Sequence, residues 1–171
     1  MRCDTKASPV AYYEITDADV VLAGQTFLFY NGATTNITVT TSGAVKQFEA
    51  TPSFTITRKK NQFIAYPWPV DLKISDMAKF YTGKSSGSFG AAGDQIWRWD
   101  VLQNTWVKYC FRKASGAAVA TWQRCNTKAS PVEYFALTDD DKIPAGQGFL
   151  FYNGATSDVT INFVYPIPSG E

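Results

Sequence analysis

Hydrophobic and polar residues alternate with a period of two along much of this chain, and turn motifs separate the alternating stretches. The pattern is clearest in QIWRWD (Gln95–Asp100) and TWVKYCFRK (residues 105–113). Side chains of a strand point alternately to its two faces, so this pattern indicates strands with one buried face. The same reasoning predicts further strands at residues 11–15, 26–30, 36–41, 54–57, 62–66, 133–137, 148–152 and 159–164.

Turn residues between these stretches predict how the strands connect. Residues 54–66 are expected to form a hairpin with a basic tip at residues 58–61, and residues 26–41 a hairpin around Asn31 and Gly32. Residues 148–164 repeat the second plan. Residues 74–81 predict the one helix, about two turns long, which Ser75 would cap and Gly83 would end.

The chain contains an internal duplication. Residues 124–160 repeat residues 2–38 at a constant offset of 122 positions, and well over half of the paired positions are identical. The identity extends to turn residues, a cysteine and a Lys-Ala-Ser-Pro tetrapeptide, which shared strand propensity does not explain. We therefore interpret residues 1–46 as a half-unit that copies the C-terminal half of a complete β unit at residues 47–171.

About ten to twelve short strands and at most one short helix predict an all-β fold. An antiparallel β-sandwich of jelly-roll or immunoglobulin-like style fits this count best, and a β-barrel is the alternative. The half-unit and the complete unit are expected to pack as one body. A half-unit alone leaves an open sheet edge and an uncovered apolar face, so it also predicts self-association or binding of a related subunit. The residues expected at such an assembly surface are Phe27, Phe29, Ile37 and Val39.

Charge and composition exclude several classes of partner. Sixteen basic and fifteen acidic residues leave a net charge of +1, which provides no basic stripe for nucleic acid. No apolar run approaches the roughly 20 residues of a membrane span, so membrane insertion is not expected. The first eight residues also lack the apolar core of a secretory signal, which fits either a chain not exported by that route or a start residue added to a fragment.

The chain has no histidine, which removes the commonest general base and most zinc sites. An enzyme is not expected, and neither catalytic residues nor cofactors are assigned. Carboxylates cluster at equivalent turns of the two copies, where a solvated acidic turn is the leading interpretation and calcium a weaker one. The weak metal candidates are Asp17, Asp19, Asp139 and Asp141.

The aromatic residues are the feature most open to a ligand. A groove lined by indole rings can hold pyranose sugars, although packing in the core is the commoner fate of large aromatic side chains. A carbohydrate-binding module is therefore the alternative function, with a glycan as a possible partner. Its candidate residues are Trp97, Trp99, Trp106 and Trp122.

Three cysteines give no clear disulfide framework. Cys3 and Cys125 are equivalent in the two copies, and buried or half-buried thiols are the leading interpretation. In an oxidising setting Cys110 and Cys125 are the pair to test, because neighbouring strands would bring them together.

The stretches QIWRWD, TWVKYCF and PAGQGFLFYNG resemble in style the repeated β domains of bacterial surface proteins and phage structural proteins. The resemblance assigns no role to any single residue. Together with the unpaired half-unit, it leads to the main hypothesis: a non-enzymatic structural or interaction module of a surface, fibrous or virion assembly. The expected setting is accordingly extracellular, cell-surface or virion-associated.

Overall fold

The computed structural model describes residues 2–4, 11–13, 34–35, 51–90 and 92–164, with only the backbone of 2–4 and 11–13. The predicted strands 26–30 and 36–41 lie outside these residues, as do Asp17, Asp19 and the four predicted assembly residues. The described elements are, in chain order, β1 Arg2–Asp4, β2 Ala11–Tyr13, β3 Ser53–Ile56, β4 Asn61–Ala65, β5 Leu72–Lys73, a 3₁₀ helix Ile74–Lys79, β6 Gln95–Asp100, β7 Thr105–Arg112, β8 Thr121–Asn126, β9 Glu133–Phe135, β10 Lys142–Ile143, β11 Gly148–Tyr152 and β12 Val159–Asn162.

The largest sheet has six strands in the order β4-β11-β6-β7-β8-β9, with every neighbouring pair antiparallel. Three two-stranded sheets, β1-β2, β5-β10 and β3-β12, complete the described fold. The prediction of an all-β antiparallel fold is confirmed. The described strands form no closed barrel, and their arrangement is consistent with a sandwich.

One face of the six-stranded sheet forms the core together with β3, β12 and the 3₁₀ helix. Alternation places one set of side chains of β4, β6, β7 and β11 on this inner face. Phe163, just after β12, packs its ring against Phe149 (centroids 6.4 Å apart) and Tyr66 (5.3 Å), which joins the two layers. The most enclosed members of this core are Ile56, Ile64, Ile74, Met77, Ile96, Tyr109, Ile143, Phe149, Phe151, Val159, Ile161 and Phe163.

Two long stretches of chain form one bent antiparallel ribbon that belongs to both layers. Residues 53–65 supply β3 and β4, and residues 148–162 supply β11 and β12; β3 pairs with β12 and β4 with β11. Pairing continues through the bend, because the Lys59 N–H donates to the Asn153 carbonyl oxygen and the Asn153 N–H donates to that of Lys60, both at 3.0 Å. Strands that change sheet at a bend are a known way to turn the corner of a sandwich.

Both predicted hairpins within the described residues are therefore wrong. The strands at residues 54–66 do not pair with each other, nor do those at residues 148–164. At Asn153 and Gly154 the local motif builds the bend instead of a tight hairpin turn: Gly154 has no left-handed φ. The Asn153 side-chain nitrogen donates to the carbonyl oxygens of Ile56 (3.0 Å) and Ser157 (2.9 Å), which ties this corner to β3.

The predicted helix at residues 74–81 is present as a 3₁₀ helix, shorter than expected. Its N-cap is Lys73 rather than Ser75, without a side-chain capping bond, and its C-cap is Phe80 rather than Gly83; the Phe80 N–H donates to the Met77 carbonyl oxygen. Burial of Ile74 and Met77 in the core holds this turn, so packing rather than capping defines it. No helix of the described residues is long and apolar enough to cross a bilayer.

The duplication is visible in strand pairing. β1 and β2 pair Arg2 with Tyr13 and Asp4 with Ala11, while β8 and β9 pair Arg124 with Phe135 and Asn126 with Glu133. Each residue of the first hairpin lies 122 positions before its counterpart, so the two copies form the same hairpin in the same register. In the second copy β8 also pairs with β7, whereas the described partner of β1 is β2 alone.

Substitution of Gly154 tests how tightly the bend is packed. A Cβ atom at this position would lie 2.3 Å from the Ala92 carbonyl oxygen and 2.6 Å from Gly93 backbone atoms. We expect Gly154→Ala to lower the free energy of unfolding by about 1–3 kcal/mol, the usual cost of overpacking. Urea unfolding followed by tryptophan fluorescence measures it. Thr156→Ala, at a nearby exposed position, should change the value by less than about 0.5 kcal/mol. Equal stability of the two variants would contradict the tight bend.

Candidate functional site

The face of the six-stranded sheet that points away from the core carries a group of partly exposed aromatic side chains. Trp97 and Trp99 share this face of β6, as the period-two pattern predicted, and Trp106 on β7 pairs directly opposite Trp99. The Trp106 ring lies 5.2 Å from Trp99 and 6.4 Å from Trp97, in edge-to-face arrangements. Phe63 on β4, 40% exposed, extends the group at 6.5 Å from Trp106. We call these four residues, with Phe89, the outer aromatic face.

One end of the outer aromatic face is covered by a loop and a lysine. Phe89, in the glycine-rich loop before β6, stacks on Trp97 with ring centroids 6.0 Å apart. Its N–H donates to the Tyr134 hydroxyl at 2.9 Å, which fixes the loop over the sheet. The Lys108 ammonium lies 4.6 Å from the Trp97 centroid, close enough for a cation–π interaction. Trp97 is therefore sandwiched, while Trp99 and Trp106 have no such cover described.

Trp122 does not belong to this face. It lies on the core side of β8, 3% exposed, opposite Phe111 on β7 and 6.5 Å from Phe151. The sequence-based group of four candidate ligand residues therefore separates into three on the outer face and one in the core.

An open depression of about 410 Å³ adjoins the outer aromatic face where β7 begins and β8 ends. Trp106 and Cys125 line it, together with the basic residues Arg98, Arg124 and Lys128. Arg98 is 3.7 Å from Asp100, whose Oδ1 accepts hydrogen bonds from the turn of the β6–β7 hairpin. The depression thus combines one aromatic wall with an excess of positive charge.

The acidic turn of the second copy is held together by its own side chains. Asp139 forms an exposed ion pair with Lys73 (2.8 Å), which lowers the pKa of the Asp139 carboxyl. Asp141 is buried and its Oδ2 accepts hydrogen bonds from the Thr138 N–H (2.8 Å) and hydroxyl (3.1 Å). In the described part of the chain no three Cys, Asp or Glu residues gather as a metal site would require. Asp139 and Asp141 have structural partners instead.

The four predicted assembly residues are outside the described residues, but their counterparts in the second copy are not. Phe27, Phe29, Ile37 and Val39 correspond to Phe149, Phe151, Val159 and Ile161 at the offset of 122 positions. All four counterparts are at most 2% exposed and belong to the core cluster. The first copy therefore carries side chains that, in the second copy, are covered by β3, β4 and β6.

Asp94 is the one carboxylate enclosed in the bend, and sequence analysis did not single it out. It accepts hydrogen bonds from the Tyr81 hydroxyl (2.9 Å) and from the N–H groups of Ser85 (2.9 Å) and Gly154 (2.8 Å). Burial raises the pKa of Asp94, and these hydrogen bonds together with the charge of Lys59 oppose the rise. Asp94 is fully buried, and its hydrogen bonds join Tyr81, Ser85 and the bend at Gly154.

Sequence reasoning also missed Phe63, Phe89 and Lys108 as members or neighbours of the outer face. Lys108 and Phe63 follow the same alternation as the tryptophans, so the period-two pattern predicts that they lie on the outer face. The composition around Phe89 predicts a flexible loop, and nothing in the local sequence indicates that Phe89 stacks on Trp97.

Asp94 gives a pH prediction. Its folded pKa is raised, so the folded state binds this proton more tightly than the unfolded state does. Its contribution to stability is therefore largest below the unfolded pKa, about 3.9, and falls as pH rises through the folded pKa. In urea unfolding from about pH 3 to about pH 8, the stability of the parent relative to Asp94→Asn should decrease with rising pH.

Asp139→Asn is the matched control, because Lys73 lowers the pKa of Asp139 and the sign is reversed. The parent should gain slightly over this variant as pH rises through the acidic range. A parent that gains stability over Asp94→Asn with rising pH would show that hydrogen bonds, not burial, dominate at Asp94.

Comparison with known proteins gives no match for this chain. No protein-family model matches it, and neither does any curated protein or solved structure.

Proposed function

We propose that the chain is a non-enzymatic interaction module that completes its duplicated half-unit with strands or faces of another subunit. The observation that carries this proposal is the burial of Phe149, Phe151, Val159 and Ile161, the counterparts of four apolar residues in the first copy. Side chains of this size stabilise a protein only when they are removed from water. The first copy therefore needs a cover equivalent to the one that the second copy has.

The described strands of this chain provide that cover only once. In the second copy β8 pairs with β7, β10 with β5, and β12 with β3, while β11 pairs with both β4 and β6. These partner strands lie within residues 51–112, a stretch without a second copy in the sequence. Two copies of the repeated element thus share one set of partner strands, and the second copy uses that set.

A second copy of the same chain is the partner that we propose first. Two half-units that pack face to face would cover each other's apolar residues through an isologous contact, the usual geometry of a symmetric dimer. The hairpin of β1 and β2 supports this, because a two-stranded sheet is at best marginally stable alone and gains from added strands. A surface, fibrous or virion assembly is the setting in which such a module would serve, and a related subunit is the other partner of this kind.

Light scattering over a concentration series tests the proposal. The parent mass should rise from 18.9 kDa towards twice that value. Phe27→Asp should abolish the rise, because a carboxylate would replace a side chain whose counterpart, Phe149, is 1% exposed. Thr38→Asp is the matched control, since its counterpart Thr160 is exposed, and it should associate like the parent.

Circular dichroism of each variant separates assembly from folding. A monomeric, folded Phe27→Asp chain beside an associating Thr38→Asp chain supports the dimer. A parent that remains monomeric at every concentration, with a Phe27→Asp variant that unfolds throughout, shows that the half-unit is covered within its own chain and contradicts the proposal.

A carbohydrate-binding module is the second candidate, and the outer aromatic face favours it. Trp99 and Trp106 contact each other but remain partly exposed, because they lie on the face of the sheet opposite the core. Partly exposed indoles beside a polar depression suit the apolar faces and polar edges of pyranose rings.

Titration with a glycan panel, followed by tryptophan fluorescence, tests this candidate. A binding glycan should quench the emission, and Trp99→Ala together with Trp106→Ala should weaken binding by roughly tenfold or more, about 1.4 kcal/mol. Trp122→Phe should bind like the parent, because Trp122 faces the core. Equal loss of binding in Trp122→Phe would show that the outer aromatic face is not the site.

A further inference from the structure

Two cysteine thiols lie together on the sheet face opposite the core. Cys110 is on β7 and Cys125 on the adjacent β8, where Cys110 pairs with Gln123 and Lys108 with Cys125. The two cysteines are thus diagonal neighbours on one face of the sheet. Both are free thiols in the structure. This is the pair that sequence analysis selected as able to form a disulfide.

The two thiols differ in their access to solvent. Cys110 is completely buried: its sulfur lies 3.1 Å from the Gly87 carbonyl oxygen, and a Cβ atom at Gly93 would be only 2.8 Å away from it. Cys125 is partly exposed and lines the basic depression next to Trp106. A small molecule in the depression can therefore reach Cys125 but not Cys110.

Charge and hydrogen bonding also favour Cys125 as the reactive thiol. The adjacent Cys110 thiol lowers the pKa of Cys125, and the positive charges of Arg112 and Lys108 act in the same direction, whereas burial opposes the shift. The proximity of Cys125 and burial both raise the pKa of Cys110. The thiolate is the nucleophile in thiol–disulfide exchange, so the exposed member of the pair is also the more nucleophilic one.

We propose that Cys110 and Cys125 are a redox-active dithiol that reduces an anionic low-molecular-weight disulfide, such as glutathione disulfide, and is itself oxidised to a Cys110–Cys125 disulfide. This inference is independent of the proposed assembly.

The exchange proceeds in two balanced steps. The Cys125 thiolate attacks one sulfur of glutathione disulfide, whose S–S bond breaks; the first glutathione leaves and takes the proton that Cys125 released. Cys110 then loses its proton and attacks the Cys125 sulfur. The second glutathione leaves with that proton. Two electrons pass from the cysteine pair to the oxidant, and the products are one internal disulfide and two glutathione thiols.

Preference for an anion follows from the surroundings of Cys125. Lys108 pairs directly opposite Cys125 on β7, the positive charges of Lys108 and Arg112 both act on Cys125, and Lys128 lines the same depression. The Lys108 ammonium donates to the Thr127 hydroxyl at 3.2 Å, which keeps it beside the end of β8. Glutathione disulfide carries net negative charge at neutral pH, whereas cystamine, a disulfide of similar reaction type, carries positive charge.

The test uses the full-length chain with Cys3→Ser, so that only the proposed pair can react. Reduced protein is incubated with glutathione disulfide and examined by intact mass and peptide mapping. We expect the loss of two hydrogen atoms and a Cys110–Cys125 crosslinked peptide. In the same background Cys110→Ser should retain one glutathione on Cys125, because the resolving thiol is gone, while Cys125→Ser should remain unmodified under native conditions.

Charge selection is tested by the ratio of the rates with glutathione disulfide and with cystamine. Lys108→Gln should lower this ratio by roughly twentyfold or more, because one unit charge at about 4 Å in water changes each rate by about fivefold, in opposite directions for the two disulfides. Lys79→Gln is the control: Lys79 is exposed and paired with Asp76 on the 3₁₀ helix, and the ratio should not change. An unchanged ratio in Lys108→Gln overturns the anion preference.

Three results overturn the dithiol itself. They are a Cys3→Ser chain that gains no internal disulfide, a Cys110→Ser variant that takes up no glutathione, and a Cys125→Ser variant modified as fast as Cys110→Ser. Folding of each variant is checked by circular dichroism, and the Cys3→Ser chain, which keeps both thiols, carries the main result.

Discussion

The described fold depends on a buried polar corner where one ribbon passes between two sheets. Asp94 accepts a hydrogen bond from the Gly154 N–H there, and the Asn153 side chain donates to the Ile56 carbonyl oxygen of β3, so these backbone groups of the bend have partners. Buried polar groups without partners are costly, so a corner satisfied in this way strongly favours one geometry. Because the corner is fixed, β11 and β12 can each supply apolar side chains to the same core from different layers.

Local pattern predicted the strands well and their pairing poorly, for a physical reason. Alternation is a property of each strand, and it placed Gln95–Asp100 and Gly148–Tyr152 at their observed bounds. Pairing of β3 with β12 joins residues about a hundred positions apart, where no turn motif specifies a partner. An Asn-Gly motif predicts a hairpin turn, its commoner use. Here the Gly154 N–H donates to the distant Asp94 carboxylate and the Asn153 side chain to the Ile56 carbonyl oxygen.

The candidate site shows the same division. Period two showed that Trp97 and Trp99 share a face, but which face meets the core depends on β3, β12 and the 3₁₀ helix packing on the other side. Trp122 has the same local pattern in the sequence, yet on β8 it pairs opposite the core residue Phe111 and therefore faces the core. The thiol pair was predictable in outline, since alternating residues on neighbouring strands brought Cys110 and Cys125 to one side.

The stretch that is identical in the two copies includes the residues that form the bend in the second copy. Asn31 and Gly32 are the counterparts of Asn153 and Gly154, and the whole FLFYNGAT stretch is identical in the two copies. In the second copy this stretch needs Ile56, Lys60 and Asp94, none of which has a counterpart elsewhere in the chain. The first copy keeps the same corner residues, but the sequence supplies no second Ile56, Lys60 or Asp94 for them. This lack of a second set of partners is the physical basis of the proposed association with another subunit.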